Sequence, residues 1–159
     1  ARRGAGTATV LTAAGEAWAA KAGGTSGVLW GAALAAAAHR LGDTGTPDDR
    51  DVAEALRAGY DALMQLGGAE RGDKTMLDAL GPFVESVEAA VNDGIDWRTA
   101  WSASVEVAQK SAAETAELRP KVGRARPLAE RSVGTPDAGA ISLAMCTHVV
   151  AELIEDHPK

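Results

Sequence analysis

Three polar, glycine-rich segments of this chain contain residue types that are suited to holding an anionic ligand. The first, GGTSG at 23–27, places three glycines, a threonine and a serine directly before an apolar run. Small residues let a ligand approach the backbone, and the free N–H groups at a helix start favour an anion such as a phosphate. A helix stop followed by a helix cap explains the same residues, and composition alone favours that simpler interpretation.

The second segment is LGGAERGDKTMLDAL at 66–80. Its glycines provide a flexible bend, Lys74 offers a positive charge for a phosphate, and Asp73 or Thr75 can cap the helix that follows. The spacing is not that of a P-loop, because Asp73 separates Gly72 from Lys74. A glycine-rich connection between two helices accounts for the segment without any ligand.

The third segment is GRARPLAERSVGTPDAGA at 123–140. Arg124 and Arg126 precede a short helical piece, and Asp137 lies at the start of the last predicted helix. Arginines in a loop are usually solvated, and Asp137 is equally explained as a carboxylate that satisfies a helix terminus.

Other kinds of chemistry find less support. The three histidines are not paired at metal-ligand spacing, so we assign no metal site, and we assign no catalytic residue. The carboxylates of DDRD at 48–51 fit a solvated helix start. Cys146 is the one cysteine, which excludes an internal disulfide and predicts a buried, inert thiol. Trp97 and Trp101 are expected in the core.

The bulk composition fits one folded domain over 1–159. The chain has 16 basic and 22 acidic residues, and its one local basic cluster is Lys121, Arg124 and Arg126, so nucleic acid is an unsuitable partner. The longest run without polar side chains, 27–38, is well short of the ~20 residues of a membrane span. We therefore expect a soluble, cytoplasmic protein.

The segments between these loops predict an all-α fold, because alanine and leucine are abundant and β-branched alternation is absent. Pro82 is expected to kink the fourth helix. Six substantial helices are predicted, in a compact antiparallel bundle or ring. They extend over about 9–21, from a Thr25 or Ser26 cap to Arg40, from a Thr46 cap with Pro47 in first position to about Leu66, from about Leu77 to Val91, from near Asp96 to about Leu118, and from a Thr135 cap with Pro136 in first position to the C-terminus.

Taken in order, GGTSGVLWGAAL, GDKTMLDAL and GRARPLAERSVGTPDAGA resemble the nucleotide-binding domain of the dihydroxyacetone kinase family. The resemblance extends over roughly 14–153, with one departure, Ala138 in place of the commoner proline. It implies an α-helical barrel, usually of eight helices, whose loops at one end hold ADP or ATP. The turns bearing Ser26, Met76 and Asp137 are then expected to converge at one mouth of the helical ring.

The resemblance also implies which residues contact the nucleotide: Gly24, Thr25, Ser26, Gly67, Thr75, Met76, Arg124, Asp137, Ala138 and Gly139. Thr25 and Ser26 would contact the phosphates, and Arg124 would reach a phosphate or the ribose. Gly67 and Met76 would border the nucleotide, and 137–139 would line the ribose and base side. Lys74 and Thr75 are alternatively expected to fix their loop.

Two features of the family pattern have no counterpart here. An aspartate-rich loop of the GDGDHG type would hold Mg²⁺, yet residues 1–24 supply no converging carboxylates, so we expect that the chain lacks this N-terminal loop through disorder or cleavage. The family's substrate is held by a separate domain through a covalent link to a histidine, and no part of this chain resembles that domain. This domain would supply nucleotide rather than sugar.

The resulting hypothesis is the ATP-binding domain of a dihydroxyacetone-type kinase, which transfers a phosphoryl group from Mg-ATP to a small keto-sugar. One alternative is the ADP-carrying subunit of a phosphotransfer-system kinase. Another is a non-catalytic helical interaction module. The expected partners are an adenine nucleotide and a sugar-binding domain or subunit, with homo-oligomerisation left open.

Overall fold

The computed structural model of the chain describes residues 4–123, 126 and 129–157, and these residues form helices and turns without any strand. The all-α prediction is therefore confirmed. A 3-10 turn, Thr115–Glu117, follows the fifth helix. The helices are α1 Thr7–Ala22, α2 Gly24–Leu41, α3 Asp49–Gly67, α4 Leu77–Asn92, α5 Trp97–Glu114, α6 Ala129–Ser132 and α7 Ala138–Asp156. The chain divides into two compact units, Ala1–Gly68 and Ala69–Lys159, and each is described by itself.

The first unit is built from α1, α2 and α3, and glycines let these helices approach closely. A Cβ on Gly15 would lie 3.0 Å from the carbonyl oxygen of Gly31, and a Cβ on Gly59 would lie 3.2 Å from that of Ala33. Backbone meets backbone at both positions, so these two glycines set the helix spacing in this unit. Each helix runs antiparallel to its neighbour.

The second unit packs α4, α5 and α7 around a core that includes Phe83, Val84 and Val87, all fully buried. The apolar face of α4 thus packs into this core. The Trp101 side chain of α5 lies edge-on to Phe83, with 5.0 Å between ring centroids, and its Nε1 donates to the carbonyl of Thr147 in α7 at 2.9 Å. Side-chain packing and one directed hydrogen bond therefore fix α5 against both neighbours.

Two predicted helix starts are wrong by a few residues. The α3 helix begins at Asp49, with Asp48 rather than Thr46 as its N-cap, and α7 begins at Ala138, with Asp137 rather than Thr135 as its N-cap. In both cases a carboxylate accepts a backbone N–H three residues later at 2.8 Å. An aspartate with extended backbone is the stronger cap, so the helix starts there and the preceding Thr-Pro pair lies outside it.

The last helix, α7, is long and apolar enough to cross a membrane, with 19 residues and a mean hydropathy of 1.4. Length and composition of this kind are also found in the core helices of globular domains, and α7 packs one face against α4 and α5. The opposite face exposes four apolar side chains, Ile141, Met145, Val149 and Leu153. Cys146 is half-buried rather than buried as predicted, and desolvation raises the pKa of its thiol, which keeps it in the unreactive protonated form.

Candidate functional site

The start of α2 and the end of α3 lie at the same end of the first unit. The packing of the helices is antiparallel. At the opposite end of the unit, the N–H of Ala8 at the start of α1 donates to the carbonyl of Gly42, just after the end of α2, at 3.0 Å. At the near end, a Cβ on Gly67 would lie 3.4 Å from Leu29 Cδ2, in the second turn of α2. Four of the predicted site residues, Gly24, Thr25, Ser26 and Gly67, are thereby brought to one end of this unit.

The N-terminus of α2 is open to solvent. Its N-cap is Gly23, with φ at 61°, so no side chain caps the helix and the prediction of a Thr25 or Ser26 cap is wrong. Gly24, Thr25 and Ser26 are exposed in the first turn, and space is free where a Cβ on Gly23 would stand. Within the described residues, the hydroxyls of Thr25 and Ser26 make no hydrogen bond. Unsatisfied N–H groups and two hydroxyls at the positive end of an 18-residue helix are suited to binding a phosphate.

In the second unit, the loop before α4 is held by a carboxylate that the sequence analysis missed. Asp78 accepts hydrogen bonds from the backbone N–H groups of Gly72 and of Thr75, the latter at 2.8 Å. The Thr75 hydroxyl in turn accepts from the N–H of Leu77 at 3.2 Å. Thr-x-x-Asp is the spacing of a capping box, so the signal was present in TMLD at 75–78.

Asp73 fastens the beginning of the same loop. Its carboxylate accepts from the Glu70 N–H at 2.9 Å and forms an ion pair with Lys121 Nζ at 3.3 Å. The Glu70 hydrogen bond, with Lys121 as a weaker contributor, lowers the pKa of Asp73, while partial burial opposes the shift. Asp73 therefore stays ionised at neutral pH and does not cap α4.

Lys74 lies between these two anchors, and its side chain points inward. It is 5% exposed, and its Nζ donates to the carbonyls of Leu118 at 3.1 Å and of Ser132 at 2.6 Å. Of the two roles predicted for Lys74, these contacts match the fixing of its loop rather than a charge offered to a phosphate. The backbone at Lys74 has a φ of 62°, a left-handed conformation that is uncommon outside glycine.

The start of α7 adjoins the start of α4. A Cβ on Gly139 would lie 3.6 Å from Met76 Cβ and 2.9 Å from Asp137 Oδ2, so the two predicted site segments are neighbours. Asp137 caps α7 through Ala140, as the simpler interpretation of that residue proposed. Its own N–H donates at 2.8 Å to the Thr115 hydroxyl, which donates at 2.6 Å to the carbonyl of Ala112. No sequence spacing points to Thr115.

Five predicted site residues therefore share one end of the second unit: Thr75, Met76, Asp137, Ala138 and Gly139. Arg124 lies outside the described residues. The meeting of both sets around one ligand stays a prediction. Within 4–123, 126 and 129–157, no three His, Cys, Asp or Glu side chains form a group that could hold a metal ion, so these residues do not fit a magnesium site.

Comparison with known proteins agrees with the resemblance seen in the sequence. The chain is 62% identical, over 95% of its length, to 26% of a D-erythrulose kinase from Mycolicibacterium smegmatis. It is 33% identical to the ADP-binding subunit DhaL of the PEP-dependent dihydroxyacetone kinase of Escherichia coli, over 81% of this chain and 61% of that subunit.

Among solved structures, the dihydroxyacetone kinase from C. freundii in complex with AMP-PNP and Mg²⁺ has a similar fold. The TM-score is 0.67 at 30% identity, over 93% of this chain and 23% of that one. The chain thus spans about a quarter of the length of the D-erythrulose kinase and of the C. freundii kinase. The family model of the DAK2 domain matches residues 1–152, and the chain belongs to the DAK2 domain family.

Proposed function

We propose that this chain is the adenine-nucleotide-binding domain of a kinase that phosphorylates a small keto-sugar. The observation that carries the proposal is the open N-terminus of α2, where Thr25 and Ser26 are exposed and no side chain caps the backbone N–H groups. These groups are therefore available to bind phosphates. The 62% identity to a D-erythrulose kinase supports a four-carbon keto-sugar as substrate, with dihydroxyacetone as the smaller candidate.

In this proposal the start of α2 in the first unit and the starts of α4 and α7 in the second unit have different roles. The first turn of α2 binds the phosphates, because its N–H groups and dipole stabilise negative charge, and Gly67 borders the nucleotide. Thr75, Met76 and 137–139 line the base and ribose, and the largely buried Met76 supports this side from below the surface. Arg124 contacts a phosphate or the ribose, as the family resemblance implies.

Phosphoryl transfer depends mainly on positioning and on stabilising charge that spreads over the transferred group. The α2 amides would orient the phosphates and offset that charge without moving. A magnesium ion, when bound with the nucleotide, supplies further charge neutralisation. The described residues offer no ligand set for it.

We propose further that the whole of 1–159 acts as one nucleotide-binding domain in the cytoplasm, and that the keto-sugar is held by a separate domain or subunit. The relatives support this division, since the chain matches about a quarter of the M. smegmatis kinase and 61% of the E. coli ADP-binding subunit. The second likeness keeps a phosphotransfer-system subunit as the alternative.

Nucleotide binding tests the proposal directly. Titration of Mg-ADP and Mg-ATP into the protein, followed by calorimetry, should give dissociation constants of about micromolar size. Thr25→Ala combined with Ser26→Ala should weaken binding at unchanged melting temperature, whereas Ser102→Ala on α5 is a matched control that should not. The absence of binding at millimolar nucleotide would leave the helical interaction module as the remaining hypothesis.

Two further measurements refine the assignment. Release of ADP from ATP in the presence of D-erythrulose, L-erythrulose or dihydroxyacetone identifies the substrate. Rapid exchange of bound ADP for added ATP supports an ATP-dependent kinase, whereas retention of ADP that becomes phosphorylated only by a phosphotransfer protein supports the alternative.

A further inference from the structure

Among the described residues of the second unit, Lys74 is unusual because it combines a buried ammonium with a left-handed backbone. Lys110 and Lys121 in the same unit have side chains 76% and 65% exposed, whereas Lys74 is 5% exposed. Burying a charged group is costly unless hydrogen bonds replace its water. At Lys74 two backbone carbonyls do so, and they come from segments 44 and 58 residues further along the chain.

We propose that Lys74 is a positioning residue for nucleotide binding, which sets the separation between Met76 and Gly139. The inference rests on the proposed function and extends it, because it assigns Lys74 to the shape of the base-side wall instead of to phosphate binding.

The first of the two carbonyls, that of Leu118, lies next to a turn that contacts the start of α7. Leu118 directly follows the turn Thr115–Glu117, and its N–H donates to the Thr115 carbonyl at 3.1 Å. The hydroxyl of the same Thr115 holds the N–H of Asp137 at 2.8 Å. The contact from Lys74 to Leu118 therefore fixes the turn on which the start of α7 depends.

The second carbonyl lies on the approach to α7 from the other side. Ser132 ends α6, and its carbonyl also accepts the N–H of Thr135 at 3.2 Å. Between them, Gly134 donates to the carbonyl of Ala116 at 2.8 Å. Lys74 thus binds two segments of the chain between α5 and α7, one after α5 at Leu118 and one before α7 at Ser132. These segments lead to Asp137 and Gly139.

Lys74 lies close along the chain to the predicted site residue Met76. Met76 follows Lys74 by two residues, and Asp78 fixes the intervening Thr75 N–H at 2.8 Å. The Lys74 ammonium fixes the segments that lead to α7, and the backbone of 74–76 fixes the position of Met76. Both partners of the contact between Met76 and Gly139 are therefore held in place. A charge-assisted hydrogen bond of this kind is stronger than a neutral one, which suits a contact that sets a distance.

The test compares three substitutions of Lys74 in the intact protein. Lys74→Met keeps the volume of the side chain but removes its hydrogen-bond donors, and Lys74→Arg keeps a charged donor. Lys74→Gly relieves the strain of the left-handed backbone and also removes the hydrogen bonds to Leu118 and Ser132. Lys110→Met is the matched control, because it makes the same change at an exposed lysine of the same unit. The readouts are the dissociation constant of Mg-ADP, the KM values for ATP and keto-sugar, and the melting temperature.

We expect Lys74→Met and Lys74→Gly to weaken Mg-ADP binding by about tenfold or more, the size that loss of charge-assisted hydrogen bonds produces. At temperatures well below melting, the KM for ATP should rise in these two variants while the KM for the keto-sugar is unchanged. Lys74→Arg should keep part of the affinity for Mg-ADP that Lys74→Met loses. A general loss of structure would instead lower the active fraction, and with it the maximal rate, without a selective rise of the KM for ATP.

Three results would overturn the inference: wild-type affinity in Lys74→Met, restored affinity in Lys74→Gly, or equal rises in both KM values. If the wild-type protein binds Mg-ADP and the variants match it, the inference alone fails. If the wild-type protein binds no nucleotide, the proposed function fails and the inference fails with it.

Discussion

The start of α2 in the first unit and the α4–α7 end of the second unit are built in opposite ways. In the first unit, the start of α2 has glycine at its cap position and exposed hydroxyls, and among the described residues nothing caps it. In the second unit, the approach to α4 and α7 is held by side chains of Asp78, Thr115 and Lys74. An end that binds charge through its own amides must leave them free, whereas an end that presents a shaped wall must have its backbone satisfied internally.

The largest effect on stability should come from the loop before α4 in the second unit. Asp78→Ala removes the acceptor of two backbone N–H groups, and we expect the free energy of unfolding to fall by about 2–3 kcal/mol. Chemical denaturation measures this change. Asp93→Ala, at the exposed far end of α4, is the control and should change stability little. Similar losses in both variants would show that the loop before α4 is not held by Asp78.

Thr115→Val should have the next largest effect, because it leaves the Asp137 N–H without its acceptor. We expect a loss of about 1–2 kcal/mol, together with weaker nucleotide binding if Asp137 contacts the ligand. Thr147→Val is a matched control, since that buried hydroxyl donates at 2.9 Å to the Ala144 carbonyl of its own helix. A control variant as unstable as Thr115→Val would remove the special role of the Thr115 contact.

At the open end, stability and binding should change in opposite directions. Ser26→Asp places a carboxylate in the first turn of α2, where the helix dipole stabilises it by about 0.3–1 kcal/mol. The same charge repels a phosphate, so affinity for Mg-ADP should fall by about tenfold or more. Thermal melting with and without nucleotide checks both signs in one experiment. Unchanged affinity in Ser26→Asp would place the phosphates elsewhere.

The smallest effect should appear at acid pH. The pKa of Asp73 is lowered in the folded protein, mainly by the Glu70 N–H and then by Lys121, so its contribution to stability is fully present above its ordinary pKa. As the pH falls through the depressed folded pKa, the carboxylate is protonated and this contribution is lost. Asp73→Asn should therefore flatten the acid side of the stability profile, measured by denaturation between pH 6 and about 2. An unchanged profile would assign the acid sensitivity to other carboxylates.

Much of the fold was predictable because local chemistry decides it. Glycines ended α1, α2 and α3 close to where the sequence placed them, and Thr25 and Ser26 proved to lie at a helix start. The exact starts of α3 and α7 were misassigned, because the competition between a Thr-Pro pair and a following aspartate depends on small differences in capping energy.

The contacts that shape the second unit were less predictable. Lys74 reaches carbonyls 44 and 58 residues away, and Thr115 meets Asp137 across 22 residues. Such partners are set by how three helices pack, and a single sequence shows no spacing that encodes them. Asp78 is the exception, since its Thr-x-x-Asp pattern is local and was overlooked.

The glycine contacts between α1, α2 and α3 have a consequence for variation during evolution. At Gly15, Gly27 and Gly59 even one added methyl group would press on a main-chain oxygen 3.0 to 3.2 Å away, and main chain cannot rotate aside as a side chain can. These positions should be nearly invariant in a deep mutational library, and accepted changes in the first unit should accumulate on the surfaces that face away from these contacts.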